Sequence, residues 1–585
     1  MFFYFKSAPI HRKAFLMSAQ NIENTDRHVT LYLIHTSDVH GNLFGYDYLK
    51  KRNLNGGLDC IASYVKQMRR SHPECVFLTD GGDFLQGQPH TYYYNYIRTD
   101  SPHIVAQAMN EMEYDCAVIG NHDIETGHEV YDRIAKEMTF PILGANVIRE
   151  STGKPYFCPY HVVERNGVRV AFLGLTSDAI PGWLPPQLWQ GMHFERMKDS
   201  AKHWIAHIRE HEKPHLIVGL FHSGLEGGMR TEAFEENVCK ELVSEVDGLD
   251  LVLYGHDHSA GIVSHPVPSG NNVLMLNPSS FGLRVAVAEV KLHLSDDLVL
   301  HKHIHATLPK MSFFKHLDER LLETHFRKQV DEVAEWLDTR IGELTEDIRE
   351  SDAYFGPSDF VGLMHRMQLE ITGAQISFAS PLNYDTVIPA GPLRIQDMFS
   401  LYKFENFLCV LKMTGREIRN FLELSYARWT NCMTDANDHV LLLAPNLDNG
   451  KRLGLMHLAY NFDSAYGIHY TVDVTKPNGK KIAILKTTDG TDFNEEEEYT
   501  VAMNSYRANG GGELMTLGAG IPHGELGARL VFSTDRDLRF HFIEYVRKYR
   551  VICPHNSQEW SFVPKEWTEC ALKRDRLLLF EEEKI

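Results

Sequence analysis

Five short apolar runs in the first half of the chain each stop at a knot of glycine or serine with aspartate, asparagine or histidine. This pattern constrains the fold more than any other feature. Residues 29–34 lead into Thr36-Ser37-Asp38-Val39-His40-Gly41-Asn42, and 76–80 into Gly81-Gly82-Asp83. Residues 117–120 lead into Asn121-His122-Asp123, 216–221 into His222-Ser223-Gly224, and 251–255 into His256-Asp257-His258. Runs of this length, rich in β-branched and aromatic residues, read as buried strands. Similar runs fall at 142–146, 168–176, 273–277 and 285–292, with helical patterns at 61–70, 104–112, 130–136 and 200–211. Strand–helix alternation predicts an α/β layered domain, part of its sheet antiparallel where the last connections shorten. Ligand sites in open α/β sheets gather at the carboxyl ends of strands, so the five polar knots are expected to converge.

A chain of 585 residues exceeds one ordinary core, and two domains are expected. The join is placed at 313–349, where Leu321, Phe326, Val330, Val333, Ala334, Leu337, Ile341 and Leu344 recur at helical spacing among charges. That spacing predicts one long amphipathic linker helix. The expected division is a poorly ordered leader at 1–28, a first domain at 29–312, the linker at 313–349, a mixed α/β second domain at 350–555 and a solvated tail at 556–585. Within the second domain, Thr414-Gly415-Arg416-Glu417 is a capping box that should open a helix.

Lys+Arg of 59 against Asp+Glu of 78 gives 59 − 78 = −19, which argues against a nucleic-acid polymer as partner. A small anion stays compatible, because bound cations invert the local charge of a pocket. Nine scattered cysteines without a C-x-x-C pair argue against a disulfide framework or a zinc ribbon. No apolar run approaches the roughly 20 residues of a membrane span. The N-terminus has no continuous apolar segment with a small-residue cleavage site, so no secretory signal is expected.

Among 32 histidines most are solvated or structural; His301, His303 and His305, alternating in one run, read as one face of an ordinary strand. Five ordered strand ends with mixed oxygen and nitrogen donors point instead to a metal. Carboxylates, an amide and imidazoles without a thiolate suit Mn, Zn, Fe or Co better than a structural zinc–cysteine site. Asp38, His40, Asp83, Asn121, His222, His256 and His258 are too many donors for one ion. A pair of divalent ions sharing Asp83 would use them all, and two ions about 3.5–4 Å apart suit in-line displacement at phosphorus.

The set D-x-H, G-G-D, G-N-H-D, H-S-G and G-H-D-H resembles the calcineurin-like metallophosphoesterases. Within them the chain is similar, over roughly residues 30–550, to the two-domain 5′-nucleotidases, UDP-sugar hydrolases and 2′,3′-cyclic-nucleotide 2′-phosphodiesterase/3′-nucleotidases. The resemblance implies an N-terminal β-sandwich flanked by helices and a mixed α/β C-terminal nucleotide-binding domain. It also implies Asp38, His40, Asp83 and His258 at one metal, and Asp83, Asn121, His222 and His256 at the other. His122 matches the family's non-ligand catalytic histidine, oriented by an acid three positions on, here Glu125 in place of the usual aspartate. A hydroxide bridging the metals would attack phosphorus, while a protonated His122 would offset charge on the phosphoryl and leaving oxygens. The implied partner is a small nucleotide. Members usually work in the periplasm or outside the cell, which this N-terminus does not explain.

In the family the second domain clamps the base between two rings. The first segment corresponds to Tyr402-Lys403-Phe404-Glu405-Asn406, which puts Phe404 and Asn406 on substrate. The second corresponds to Asn504-Ser505-Tyr506-Arg507-Ala508-Asn509-Gly510-Gly511-Gly512, which implies Tyr506, Arg507 and Asn509 as further contacts. Stacking is worth about 1–3 kcal/mol per base and tolerates every base. Two departures separate the chain from the 5′-nucleotidase branch. Ser380-Pro381-Leu382-Asn383-Tyr384-Asp385 lacks that branch's arginine, and Gly510-Gly511-Gly512 replaces its Gly-Gly-Asp. They favour the cyclic-phosphodiesterase/3′-nucleotidase branch, with 5′-nucleotidase or UDP-sugar hydrolase as alternative. A nucleotide-binding protein on an inactive phosphoesterase scaffold is the non-enzymatic one.

Overall fold

The computed structural model describes residues 26–49, 52–232, 234–295, 298–317, 321–384, 386–445, 454–554 and 558–580. The leader expected at 1–28 lies outside these residues except for Asp26–His28, where Arg27 and His28 already open the first strand.

Two six-stranded sheets form the first domain. One runs in the order Leu298–Thr307, Ala286–Ser295, Arg27–Thr36, Val76–Asp80, Cys116–Val118, Ile142–Leu143. The other runs Gly261–Pro266, Asn272–Asn277, Leu251–Tyr254, Leu216–His222, Val168–Thr176, Tyr160–Arg165. Val29, Leu31, Leu33, Phe77 and Val118 of the first sheet meet Val170, Phe172, Val218, Leu220 and Leu253 of the second in one buried cluster. The other face of the second sheet, with Ala171, Leu173 and Leu175, packs on the helices Met197–His211 and Cys239–Glu245. Strands buried on both faces explain why the runs are continuously apolar.

Parallel pairing decides where the knots go. Thr36 pairs with Asp80, and Phe221 with Tyr254, in parallel register, so neighbouring strands end on the same side. The shorter final connections give antiparallel strands, as expected: Arg27–Thr36 pairs antiparallel with Ala286–Ser295, and that strand with Leu298–Thr307.

The second domain is built on a five-stranded sheet, Ser464–Tyr466, Ile376–Ala379, Glu498–Asn504, Phe407–Thr414, Leu530–Asp537, covered by helices. The capping box opens the helix Gly415–Trp429: Thr414 Oγ1 accepts from Glu417 N at 3.2 Å, and Glu417 Oε2 accepts from Thr414 N at 2.7 Å.

Two expectations need correction. The linker is not one long helix. Most of its apolar stripe is buried, with Leu321 half-buried and Ala334 exposed, but the helical part breaks at Phe326 into Leu321–His325 and Arg327–Leu337, and from Arg340 the chain is a strand. Arg340–Leu344 pairs with Gly391–Arg394 and Val551–Ile552, where a Cβ on Gly342 would stand 2.6 Å from Val546 and 2.9 Å from the Arg550 carbonyl. Tertiary pairing overrides helical periodicity there. The tail, expected to be solvated, contributes the strand Trp560–Val563 and the helix Lys565–Phe580. Trp560 and Phe562 sit in an aromatic cluster with Tyr426, Trp429 and Tyr470, and buried Asp575 accepts from the Val440 and Leu441 amides. The acidic end at 581–585 lies outside the described residues.

One apolar cluster runs from the first domain through the linker into the second, from Leu58 and Tyr92 past Val333 to Phe399 and Phe542. Tyr92 OH also donates to Asp537 Oδ2 at 2.9 Å. Among the described residues no helix is long and apolar enough to cross a membrane.

Candidate metal centre and interdomain cleft

The seven donors meet at the carboxyl ends of the parallel strands. Asp38, His40 and His258 offer ligand atoms that all lie within 4.8 Å of one another, and so do Asp83, His222 and His256. His40 Nε2 is 3.1 Å from His258 Nε2, which is 3.5 Å from Asp38 Oδ1. His222 Nε2 lies 3.2 Å from Asp83 Oδ2 and 2.9 Å from Asn121 Oδ1, which also faces His256 Nδ1 at 2.9 Å. Backbone bonds lace the loops together: Asp38 N donates to Gly82 O and His40 N to Asp83 O, each at 2.9 Å. Asp83 therefore stands beside both groups.

The local conformation is unusual. Asp38, His40, Asp83, His256 and His258 all have positive φ, from 48° to 76°. That region costs a non-glycine residue about 1 kcal/mol or more, and persists only where surroundings dictate it. The flanking glycines are sterically required. A Cβ on Gly120 would fall 2.2 Å from Asp83 Oδ1, and one on Gly255 1.8 Å from Ser37 Oγ. The remaining acids of the motifs hold backbone. Asp123 accepts from the Asp83, Phe84, Leu85 and Gly120 amides at 2.8–2.9 Å, and Asp257 from the Leu225 and Ser259 amides.

The donor set fits divalent cations. A carbonyl can only accept, so the contacts of His40 Nδ1 with Gln86 O (3.3 Å) and His222 Nδ1 with Gly81 O (2.6 Å) put a proton on Nδ1. They aim the Nε2 atoms inward, as outer-layer partners of metal-binding histidines do. Burial lowers the His40 pKa to about 4, which keeps it neutral and able to ligate. At His222, burial opposes the charge, but Asp83 outweighs it and raises the pKa to about 9. Acceptor atoms this close repel unless a cation, metal or proton, sits among them.

His122 stands beside the centre with its ring 5.4 Å from that of His40, and its amide donates to Asp83 Oδ1 at 2.8 Å. Its Nδ1 is 2.6 Å from Glu125 Oε2. Burial disfavours the imidazolium, but the Asp83 and Glu125 carboxylates overcome this and raise the pKa to about 10. Cations on Asp83 would offset its share, leaving Glu125 as the standing source.

A cleft of about 410 Å³ separates this centre from the second domain. Asn121, His122, Trp183, Met229 and His256 line it on one side, and Asn406, Tyr506 and Gly510–Gly512 on the other. Tyr506 is 39% exposed, and a Cβ on Gly511 would stand 2.4 Å from its ring, which explains a glycine there. Phe404, expected as the other ring, does not line the cleft; it is half-buried against the main apolar cluster, with the Lys403 ammonium 4.8 Å over its ring.

Two expected substrate contacts do other work. Arg507 is 1% exposed; its guanidinium pairs with Asp463 at 2.7 Å and donates to the Tyr460 and Gly511 carbonyls, all inside the domain. Asn509 Nδ2 donates across the interface to the Trp183 carbonyl. Arg507→Ala should therefore cost about 3 kcal/mol of stability, the usual result of breaking a buried ion pair. Urea unfolding checks this, and a variant of unchanged stability with a raised KM would restore the substrate role.

Trp183 and Glu236 are neighbours of the centre that no sequence motif marks. Trp183 stacks on His256, ring centroids 5.3 Å apart, and Glu236 Oε1 lies 3.2 Å from His256 Nε2. They are recognisable only from what the fold sets beside His256.

Residues 31–260 match the family model "Calcineurin-like phosphoesterase", and residues 340–519 the model "5′-nucleotidase, C-terminal domain". The chain is 26% identical over 611 aligned positions to a trifunctional nucleotide phosphoesterase of Bacillus subtilis, covering 95% of this chain and 40% of that protein. It is 24% identical to a 2′,3′-cyclic-nucleotide 2′-phosphodiesterase/3′-nucleotidase of Yersinia enterocolitica, covering 91% and 88%. In fold it is similar to a Staphylococcus aureus protein crystallised with α-ketoglutarate, at 21% identity and TM-score 0.69, covering 91% and 100%.

Proposed function

Since the chain belongs to the calcineurin-like metallophosphoesterases with a 5′-nucleotidase C-terminal domain, whose members are phosphoester hydrolases, we propose that it hydrolyses 2′,3′-cyclic nucleotides at the 2′ ester and then the 3′-nucleotide. One observation carries the choice of substrate. Among the described residues, the side chains lining the cleft include no lysine or arginine. Its carboxylates already have partners: Glu125 has His122, Glu236 has His256, and Glu513 has Arg428. Beyond His122, no cationic side chain of the lining is there to meet a phosphate lying away from the metal centre. A cyclic phosphodiester carries one charge, whereas a monoester carries about −1.5 to −2 near neutral pH. The monoanion suits this cleft better than a diphosphate or a UDP-sugar; the 3′-monoester made from it would rely on the metal centre for its second charge.

Asp38, His40, Asp83 and His258 would hold one divalent ion, and Asp83, Asn121, His222 and His256 the other. When bound, such ions supply Lewis acidity at phosphorus and a nucleophile from water at neutral pH. The chain's own side chains do the rest. His122, kept protonated by Glu125, faces the scissile ester and gives its proton to the departing ribose oxygen. Tyr506 of the lining supplies one ring for the base and Asn406 a polar contact beside it; Phe404, outside the lining, is the second ring only as the resemblance implies.

The test is a panel of 2′,3′-cyclic AMP, 3′-AMP, 5′-AMP, ADP and UDP-glucose, each with Mn²⁺, Zn²⁺, Fe²⁺ and Co²⁺. The cyclic substrate should exceed ADP and UDP-glucose in kcat/KM by at least about tenfold, one like-charge contact's worth. Faster hydrolysis of 5′-AMP or UDP-glucose would favour the 5′-nucleotidase/UDP-sugar hydrolase reading. Inertness on every substrate and metal would leave a nucleotide-binding protein on a phosphoesterase scaffold.

A further inference from the structure

The outer face of the first sheet carries a row of histidines apart from the cleft. His28 pairs in register with His293, and His293 with His301, so three histidines lie in one row across three adjacent strands. Direct cross-strand partners project to the same face with their Cβ atoms about 5 Å apart. Here the rings lie nearly parallel, centroids 4.5 Å apart for His28 and His293 and 6.0 Å for His293 and His301. His28 and His301 are exposed and the His293 side chain is one-quarter exposed, so solvent reaches the whole row.

From these residues we infer a surface site for a borderline transition-metal ion such as Zn²⁺, Ni²⁺ or Cu²⁺, separate from the cleft. His28 lies eight residues before the end of its strand at Thr36, roughly 26 Å from the cleft end at about 3.3 Å per residue. Imidazole nitrogens select these ions over Mg²⁺ or Mn²⁺. Asp26 Oδ2, 3.7 Å from His293 Nε2, supplies a carboxylate at the same spot. Lys291, one row along, is turned towards Glu289 at 3.5 Å. The rings are already neighbours, and exposed side chains can rotate about their χ angles to bring their nitrogens onto one ion. His303 and His305, on the same face one and two rows along, stand opposite Lys291 and Glu289 and are not part of the row.

Equilibrium dialysis of the full chain against Zn²⁺ tests the site, with turnover reporting that the cleft is still loaded. The wild type should bind one more Zn²⁺ per chain than H293A/H301A, while H303N/H305N keeps the wild-type count. Cu²⁺ added to the Zn-loaded wild type should give an electron paramagnetic resonance spectrum with hyperfine splitting from at least two nitrogens, absent in H293A/H301A. Equal metal counts in the wild type and H293A/H301A, or an equal loss in H303N/H305N, would overturn the inference.

Discussion

Asp83→Ala is expected to lower kcat/KM for the preferred nucleotide by at least about 10³-fold, several kcal/mol of transition-state stabilisation. Divalent metal retained in the cleft should fall from two ions to one or none. The size follows from position. Asp83 Oδ2 faces His222 Nε2 at 3.2 Å, Asp83 Oδ1 accepts the His122 amide, and its carbonyl holds the His40 amide. Substitution thus removes a donor from the Asp83–His222–His256 group, the donor proposed to be shared between the two ions, and an anchor from the loop that carries His122. His258→Ala strips one cluster only and should retain one ion, so elemental analysis of the two variants separates a shared ligand from two independent ones. Activity of Asp83→Ala within tenfold of the wild type would end the two-ion reading.

Much of this centre was legible because each knot sits where a buried strand must stop. Glycine, aspartate and histidine are poor continuations of apolar runs such as 216–221, and parallel strands leave their ends on one side. The local reason for Asp38 and His40 is different from the one their spacing suggests. A two-residue spacing on a strand puts side chains on one face, yet both residues lie past the strand end in left-handed conformation. The outcome is the same because the Gly82 and Asp83 carbonyls bind the Asp38 and His40 amides and fix the loop. What sequence could not reveal is set by contacts distant along the chain. Trp183 and Glu236 meet His256 only after the second sheet forms. Arg507 sits in a substrate-like motif but is drawn inward by Asp463, 44 residues earlier. The linker keeps its helical stripe to Leu337; beyond it, pairing with Gly391–Arg394 makes Ile341 and Leu344 strand residues.

His122→Asn should reduce kcat/KM on a cyclic nucleotide by about 10²–10⁴-fold, the span of a positioned general acid. Glu125→Gln should cost about 10–100-fold, as losing the group that orients a functional histidine does. The ordering follows from the geometry: Glu125 is 7% exposed and acts through the 2.6 Å contact, while the His122 side chain is 37% exposed towards the cleft. Leaving-group chemistry separates two roles for the imidazolium. A proton donor matters little when the departing oxygen is already a weak base, so bis-p-nitrophenyl phosphate should lose less than about tenfold on either substitution. A residue that only neutralises the non-bridging oxygens would cost both substrates alike. Equal losses on the two would therefore move His122 from the leaving oxygen to the phosphoryl group, with Glu125 still holding its charge. An unchanged rate for His122→Asn on both would remove it from the chemistry and leave catalysis to the metal centre.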